Sequence, residues 1–487
     1  MLGEVRMLFN SLHYLMFFPL ISLCYFRLPQ KFRWILLLFG SYYFYMSWKM
    51  DYVFIILLST VVNYVVGLGL QNMHGAQSRK SVLVFGVLFN VSMLVVFKYL
   101  DFFSGVLGSV LGNFMLRIDP ISLKLLAPIG ISFYTFKNIS YIVDVYSKKI
   151  GAVRHVGIFA LYVSFFPQLI AGPIERAKTL VPKFFETHVF DYVGALKGLK
   201  LVLWGFTKKI VVADRLAIVV NEVFTNPLDY TGMALMVAVV FFTIQIYCDF
   251  SGYSDIAIGS AQVLGFSPID NFRRPYLSKS VTEFWRRWHI SLSSWLRDYV
   301  YIPLGGNRCS FLRANLNVLI VFLVSGLWHG ANWTFIVWGL LHGSFIVFEN
   351  ALKRFFGIVR SKAVFLEKIF RSTYVQVFCT FFLVSLAWIF FRANSIHDAL
   401  YILTHLFKGL TWGVSEWGTS MGLASFLYCM GLIVMVVTFD LIWENNYMLG
   451  VWQKVHAPMK IIVYVGIVIF ILLFGVFNKT EFIYAQF

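Results

Sequence analysis

Apolar runs of bilayer length recur along this chain, set between short polar stretches. A membrane-spanning helix needs about 20 mostly apolar residues. Runs of that kind predict spans over 8–26, 34–48, 52–70, 81–99, 158–172, 232–250, 315–349, 374–392, 423–443 and 460–477. The first, MLFNSLHYLMFFPLISLCYF, is long for a secretory leader and is followed by no small-residue cleavage site, so it predicts a retained span. No internal repeat is evident, which weakens the inverted-repeat architecture of many transporters.

Two stretches do not fit a simple count of spans. LAPIGISFYTFKNISYIVDVYSKK (126–149) opens on Pro and Gly and carries Ser132, Thr135, Lys137, Asn138 and Asp144 through an apolar run. YCDFSGYSDIAIG (247–259) sets Asp249 and Asp255 near Gly252. The two aspartates fit helix ends or a loop at the interface, where polar residues gather. That is the favoured reading; the sharper one is a wet internal cavity, since intramembrane carboxylates are costly and usually face one.

A third pattern is amphipathic. From 280 to 302, Trp285, Trp288, His289, Leu292, Trp295, Leu296 and Tyr299 fall on one side of a helix, and Glu283, Arg287, Ser291, Ser294 and Asp298 on the other. The charges exclude a span, so the segment predicts an interfacial helix, stopped by Pro303 and the Gly305-Gly306 pair.

Composition agrees with the pattern: of 487 residues, 59% are hydrophobic and 13% charged. No soluble globular chain of this length is built that way. The formal net charge of +18 sits between the spans, as in Arg27, Lys31 and Arg33, or Lys148, Lys149 and Arg154. There it acts as a positive-inside topology signal and argues against a nucleic-acid partner. The five cysteines, Cys24, Cys248, Cys309, Cys379 and Cys429, stand singly, which argues against structural disulfides and zinc.

Chemistry concentrates in LVSGLWHGANWTFIVWGLLHG (323–343), which holds no Lys, Arg, Asp or Glu but two histidines, His329 and His342. A neutral imidazole in apolar surroundings can take a proton from a hydroxyl, so His329, flanked by Gly326 and Gly330, is a candidate general base. A structural imidazole bonded across helices fits the same pattern. His342 follows thirteen positions later, about 20 Å along a straight helix. It is therefore expected to be structural, unless the helix breaks between them. His289, among the tryptophans of the amphipathic segment, fits a functional group and an interfacial imidazole equally well.

PIGISFYTF (128–136), FFPQLIAGPIER (165–176), DFSGYSDIAIG (249–259), NFRRPYLSKSVTEFWRRWHISLSSWLRDYVYIPLGGNR (271–308) and SGLWHGANWTFIVWGLLHG (325–343) together resemble the membrane-bound O-acyltransferases. Within that family the likeness is strongest to the branch serving alginate O-acetylation, and weaker to the branch that adds D-alanine to teichoic acids. The resemblance implies an all-α polytopic membrane protein, a single membrane-embedded domain of about eleven spans with interfacial and re-entrant helices around a central tunnel. Beside the candidate substrate contacts Trp328, Asn332, Arg286 and Arg287, whose arginines suit the phosphates of a CoA-type donor, the resemblance carries the catalytic histidine onto His329 and the second motif histidine onto His289. It further implies a bacterial inner-membrane acetyltransferase with no bound cofactor and a cytoplasmic thioester donor, acetyl-CoA. Its partners would be membrane lipid and the periplasmic proteins that complete O-acetylation of an exported polysaccharide. Acyl transfer from a carrier protein to another envelope polymer, and transport of a lipid-linked sugar without chemistry, stand as the competing functions.

Overall fold

The computed structural model describes residues 7–112, 128–358, 372–410, 413–445, 450, 454–477 and 482–483. Residues 126 and 127 and most of the C-terminal FNKTEFIYAQF lie outside them. The described secondary structure is helical, and eight helices are long and apolar enough to cross a membrane, among them Tyr52–Asn72, Met233–Val263, Phe311–His329 and Trp333–Phe355. The chain is a multi-pass membrane protein. Its backbone contacts divide it into two compact units, Met1–Val202 with Ile256–Ile269, and Leu203–Asp255 with Asp270–Phe487.

In the first unit the motif PIGISFYTF forms the start of a helix, Ile131–Tyr146, entered through Gly130 at φ +74°. Lys137, Asn138 and Asp144 are all buried in it. Polar groups at that depth need partners. Asn138 Nδ2 donates to Ser59 Oγ at 2.9 Å, and Lys137 Nζ donates to the Tyr162 carbonyl and to Gln168 Oε1 at 3.2 and 3.3 Å. The span expected over 158–172 is instead two short helices, Val156–Ser164 and Phe166–Leu169. Phe165, at φ −47° and ψ 107°, breaks the helix just before Pro167, which lacks an N–H and sits in the first turn of the second piece.

The second unit departs from the sequence reading in three places. YCDFSGYSDIAIG is no interruption: Met233–Val263 runs through it as one helix. Its aspartates are held by a π-helical turn, Thr207–Ala213. Lys208 Nζ lies 2.6 Å from Asp255, and Lys209 Nζ lies 2.6 Å from Asp249 and 2.8 Å from Asp214. Neither a loop nor an interfacial helix end is found at Asp249 or Asp255; both carboxylates are neutralised in mid-helix.

The amphipathic segment expected as one helix over 280–302 is two, Val281–Arg287 and Ile290–Leu296, the latter running into a π turn at Arg297–Tyr301. Its first turn is capped by the Ser280 hydroxyl, which accepts from the Glu283 N–H at 3.0 Å, and by the Glu349 carboxylate, which accepts from Thr282 N–H and Oγ1 at 3.2 and 2.8 Å.

The single span expected over 315–349 is a hairpin of two helices, Phe311–His329 and Trp333–Ile358. Gly330 ends the first in extended backbone, and Asn332 Oδ1 caps the second by accepting the Thr334 N–H at 3.1 Å. Gly326 and Gly339 let the two backbones meet. A Cβ on Gly339 would stand 3.2 Å from the Gly326 Cα and overlap the Phe322 carbonyl, so only small residues permit this approach. Thr373–Arg392 packs against the second arm of the hairpin.

Candidate active site

The break in the hairpin decides the relation between the two histidines of the opening motif. Because the helix reverses at 330–332, both imidazoles come to lie edge-on to the same side chain, Trp338, with ring centres 4.8 Å from it for His329 and 5.0 Å for His342. Separation along a straight helix would have kept them apart; the turn supplies the condition under which they share one site.

His329 closes its helix in a nest of rings. Trp328 is 4.6 Å away, Trp338 4.8 Å and Phe391 5.2 Å, and only 3% of the residue is exposed. Trp328 bridges to the amphipathic segment, with its ring 6.1 Å from that of His289. The two motif histidines, forty positions apart in sequence, therefore flank one tryptophan.

His289 sits at the break between the two amphipathic helices, with φ +42° and ψ 55°. A non-glycine residue in the left-handed region costs about 1–3 kcal/mol and persists only where its surroundings hold it. Asn271 is the holder: its backbone carbonyl accepts the Ile290 N–H at 2.9 Å, and its Oδ1 accepts the Ser291 N–H and hydroxyl at 3.3 and 2.9 Å. Those donors identify the atom as the amide oxygen, which can only accept. His289 Nδ1, 3.1 Å from the same oxygen, must therefore carry the hydrogen. Burial pushes this imidazole down to about 3, so it stays neutral and its Nε2 presents a lone pair.

The remaining candidate contacts divide. Arg286 is exposed. Arg287 is committed to ion pairs with Glu283 at 2.7 Å and Glu444 at 3.0 Å. Asn332 uses its oxygen as the helix cap and its Nδ2 to donate to the Asn394 carbonyl at 3.1 Å, so it shapes the turn beside His329. The structure adds Asn271, Trp338, Trp388 and Phe391 to the site. Asn271 opens the NFRRPYL stretch, but only the fold shows that it reaches back to His289.

Buried imidazoles at and beside the end of a broken intramembrane helix suit proton transfer to and from a hydroxyl. Residues 135–393 match the membrane-bound O-acyltransferase family model, and the chain belongs to that family. Among its relatives, the probable alginate O-acetylase AlgI of Azotobacter vinelandii is 40% identical over 415 residues, covering 84% of this chain and 80% of the relative. The peptidoglycan O-acetyltransferase of Helicobacter pylori is 35% identical, over 75% of this chain and 72% of its own. The teichoic acid D-alanyltransferase of Bacillus subtilis is 25% identical, over 61% of this chain and 78% of its own.

Proposed function

We propose that this chain is a histidine-dependent O-acetyltransferase of the bacterial inner membrane that moves an acetyl group from a cytoplasmic thioester, acetyl-CoA, to a hydroxyl of an exported polysaccharide, with periplasmic proteins completing the modification. The observation that carries this reading is the pair of buried histidines on either side of Trp328, in a chain whose relatives include alginate and peptidoglycan O-acetylating proteins.

His329 is the general base: it takes the proton of the attacking hydroxyl and returns it to the departing thiolate. The Asn271-fixed tautomer narrows the part open to His289. A neutral imidazole with its hydrogen on Nδ1 cannot donate from Nε2 to a donor carbonyl. It can accept from the incoming hydroxyl, and its low proton affinity suits it to orienting that hydroxyl more than to storing its proton. Arg286, exposed where Arg287 is paired, is the arginine available to the phosphates of a CoA donor.

The test is acetyl transfer from labelled acetyl-CoA by purified protein in proteoliposomes. Loss of a general base lowers the rate by about 10² to 10⁴. His329→Ala should fall by that much while its detergent melting is unchanged, and retained turnover overturns the assignment. Transfer from an acylated carrier protein, with none from acetyl-CoA, would move the donor to the carrier class.

A further inference from the structure

His342 was expected to be structural, yet its hydrogen bonding describes a donor held ready. The Trp285 indole Nε1–H lies 3.2 Å from His342 Nδ1. An indole nitrogen only donates, so Nδ1 accepts and must bear a lone pair. A protonated ring would set two hydrogens against each other, so the imidazole is neutral and its hydrogen is on Nε2. This tautomer is the reverse of the one Asn271 imposes on His289.

That Nε2–H is buried and meets no hydrogen-bond partner among the described residues, and the same holds for Nε1–H of Trp338 and of Trp388. All three side chains are fully buried. Their rings form a triangle, with centres 5.0 Å apart for Trp338 and His342, 5.7 Å for Trp338 and Trp388, and 6.2 Å for His342 and Trp388. A buried donor without an acceptor is costly, and three in mutual contact are rarer still. None of the three can accept at these atoms, so the ligand chemistry that satisfies them is an acceptor oxygen. Trp338 belongs to both this triangle and the ring nest of His329.

We propose that His342, Trp338 and Trp388 form a carbonyl-binding site that receives the acyl oxygen of the thioester beside His329, with Trp285 as the residue that positions the His342 hydrogen. The proposal rests on the acyl-transfer reading above. In the step it serves, the hydroxyl oxygen bonds to the acyl carbon while His329 takes its proton. The carbonyl electron pair moves onto oxygen, which accepts from the three N–H groups. The carbonyl then re-forms, the carbon–sulfur bond breaks, and the thiolate takes the proton from His329.

Removing one such donor costs about 10² to 10³ in rate. His342→Ala should lose that much in kcat, with KM for acetyl-CoA nearly unchanged. His342→Gln, whose amide can both accept from Trp285 and donate onward, should recover at least tenfold over alanine. A purely structural histidine would show neither the kcat-selective loss nor the rescue.

An equilibrium readout separates this site from the base. A ketone analogue of acetyl-CoA, with the thioester sulfur replaced by CH₂ and a ¹³C carbonyl, should show a lowered carbonyl stretch when bound to the wild type and to His329→Ala. The stretch should return toward its free value in His342→Ala. An unchanged band in His342→Ala, or wild-type turnover by that variant, overturns the proposal and leaves the His329 reading standing. Wild-type turnover by His329→Ala removes the base reading, and failure of the analogue to bind the wild type at all overturns the carbonyl site and the acetyl-CoA donor together.

Discussion

At the scale of residues, the site depends on which nitrogen of each imidazole holds the hydrogen. Asn271 makes His289 an acceptor at Nε2, and Trp285 makes His342 a donor there. Neither fact is legible in the sequence, because Asn271 is 18 positions from His289 and Trp285 is 57 from His342. His329 and His342 were legible as the only titratable groups in 323–343, whereas His289 stood out only by lying among the tryptophans of an amphipathic segment. Burial lowers the His289 imidazole from its usual 6.5 to about 3. Between those values the unfolded chain binds a proton that the native chain refuses, so stability rises with pH across the window. The contribution is complete above about 6.5 and is lost as pH falls toward 3. Melting of the wild type in detergent should therefore decline as the buffer is acidified through that range, and His289→Gln should flatten part of the decline. An identical pH dependence in the variant would show that His289 is not buried neutral.

At the scale of elements, two of the places where the sequence pattern misled, 280–302 and 315–349, carry the candidate site. Apolar periodicity reads 315–349 as one span, since the hairpin residues Gly330-Ala331-Asn332 are too few and too mildly polar to interrupt it. It reads 280–302 as one helix, since nothing at Trp288 or His289 announces a left-handed residue. The long polar interruption at 247–259 looked like a break and is continuous helix, because Lys208 and Lys209 neutralise its aspartates from a separate π turn. Partners supplied across the fold cannot be read from local pattern. The spans whose apolar run is not interrupted, including Tyr52–Asn72, Thr373–Arg392 and Leu423–Glu444, fall close to where hydropathy placed them. The hairpin gives an element-level prediction. Gly339→Ala forces a Cβ into the Phe322 carbonyl and against the Gly326 Cα, and backbone atoms cannot move aside cheaply. Overpacking of this kind costs about 1–3 kcal/mol. The variant should melt earlier and lose activity together, because spreading the arms moves both His329 and His342 from Trp338. Full activity with wild-type melting would mean that the close approach does not position the site.

At the scale of the whole molecule, family membership and the run of apolar helices were legible from motif order and hydropathy. The proposed function joins a thioester on one side of the membrane to a hydroxyl on the other through buried histidines. Such a protein moves an acetyl group and leaves the carrier behind, whereas a transporter moves its cargo intact. The most direct measurement traps acetyl-CoA, labelled in the acetyl group, inside proteoliposomes with the cytoplasmic face inward, and places a hydroxyl-bearing oligosaccharide outside. The proposed function predicts labelled ester on the external oligosaccharide, an equal amount of free CoA thiol inside, and neither with His329→Ala. Intact acetyl-CoA appearing outside, or external ester formed equally well by His329→Ala, would contradict it.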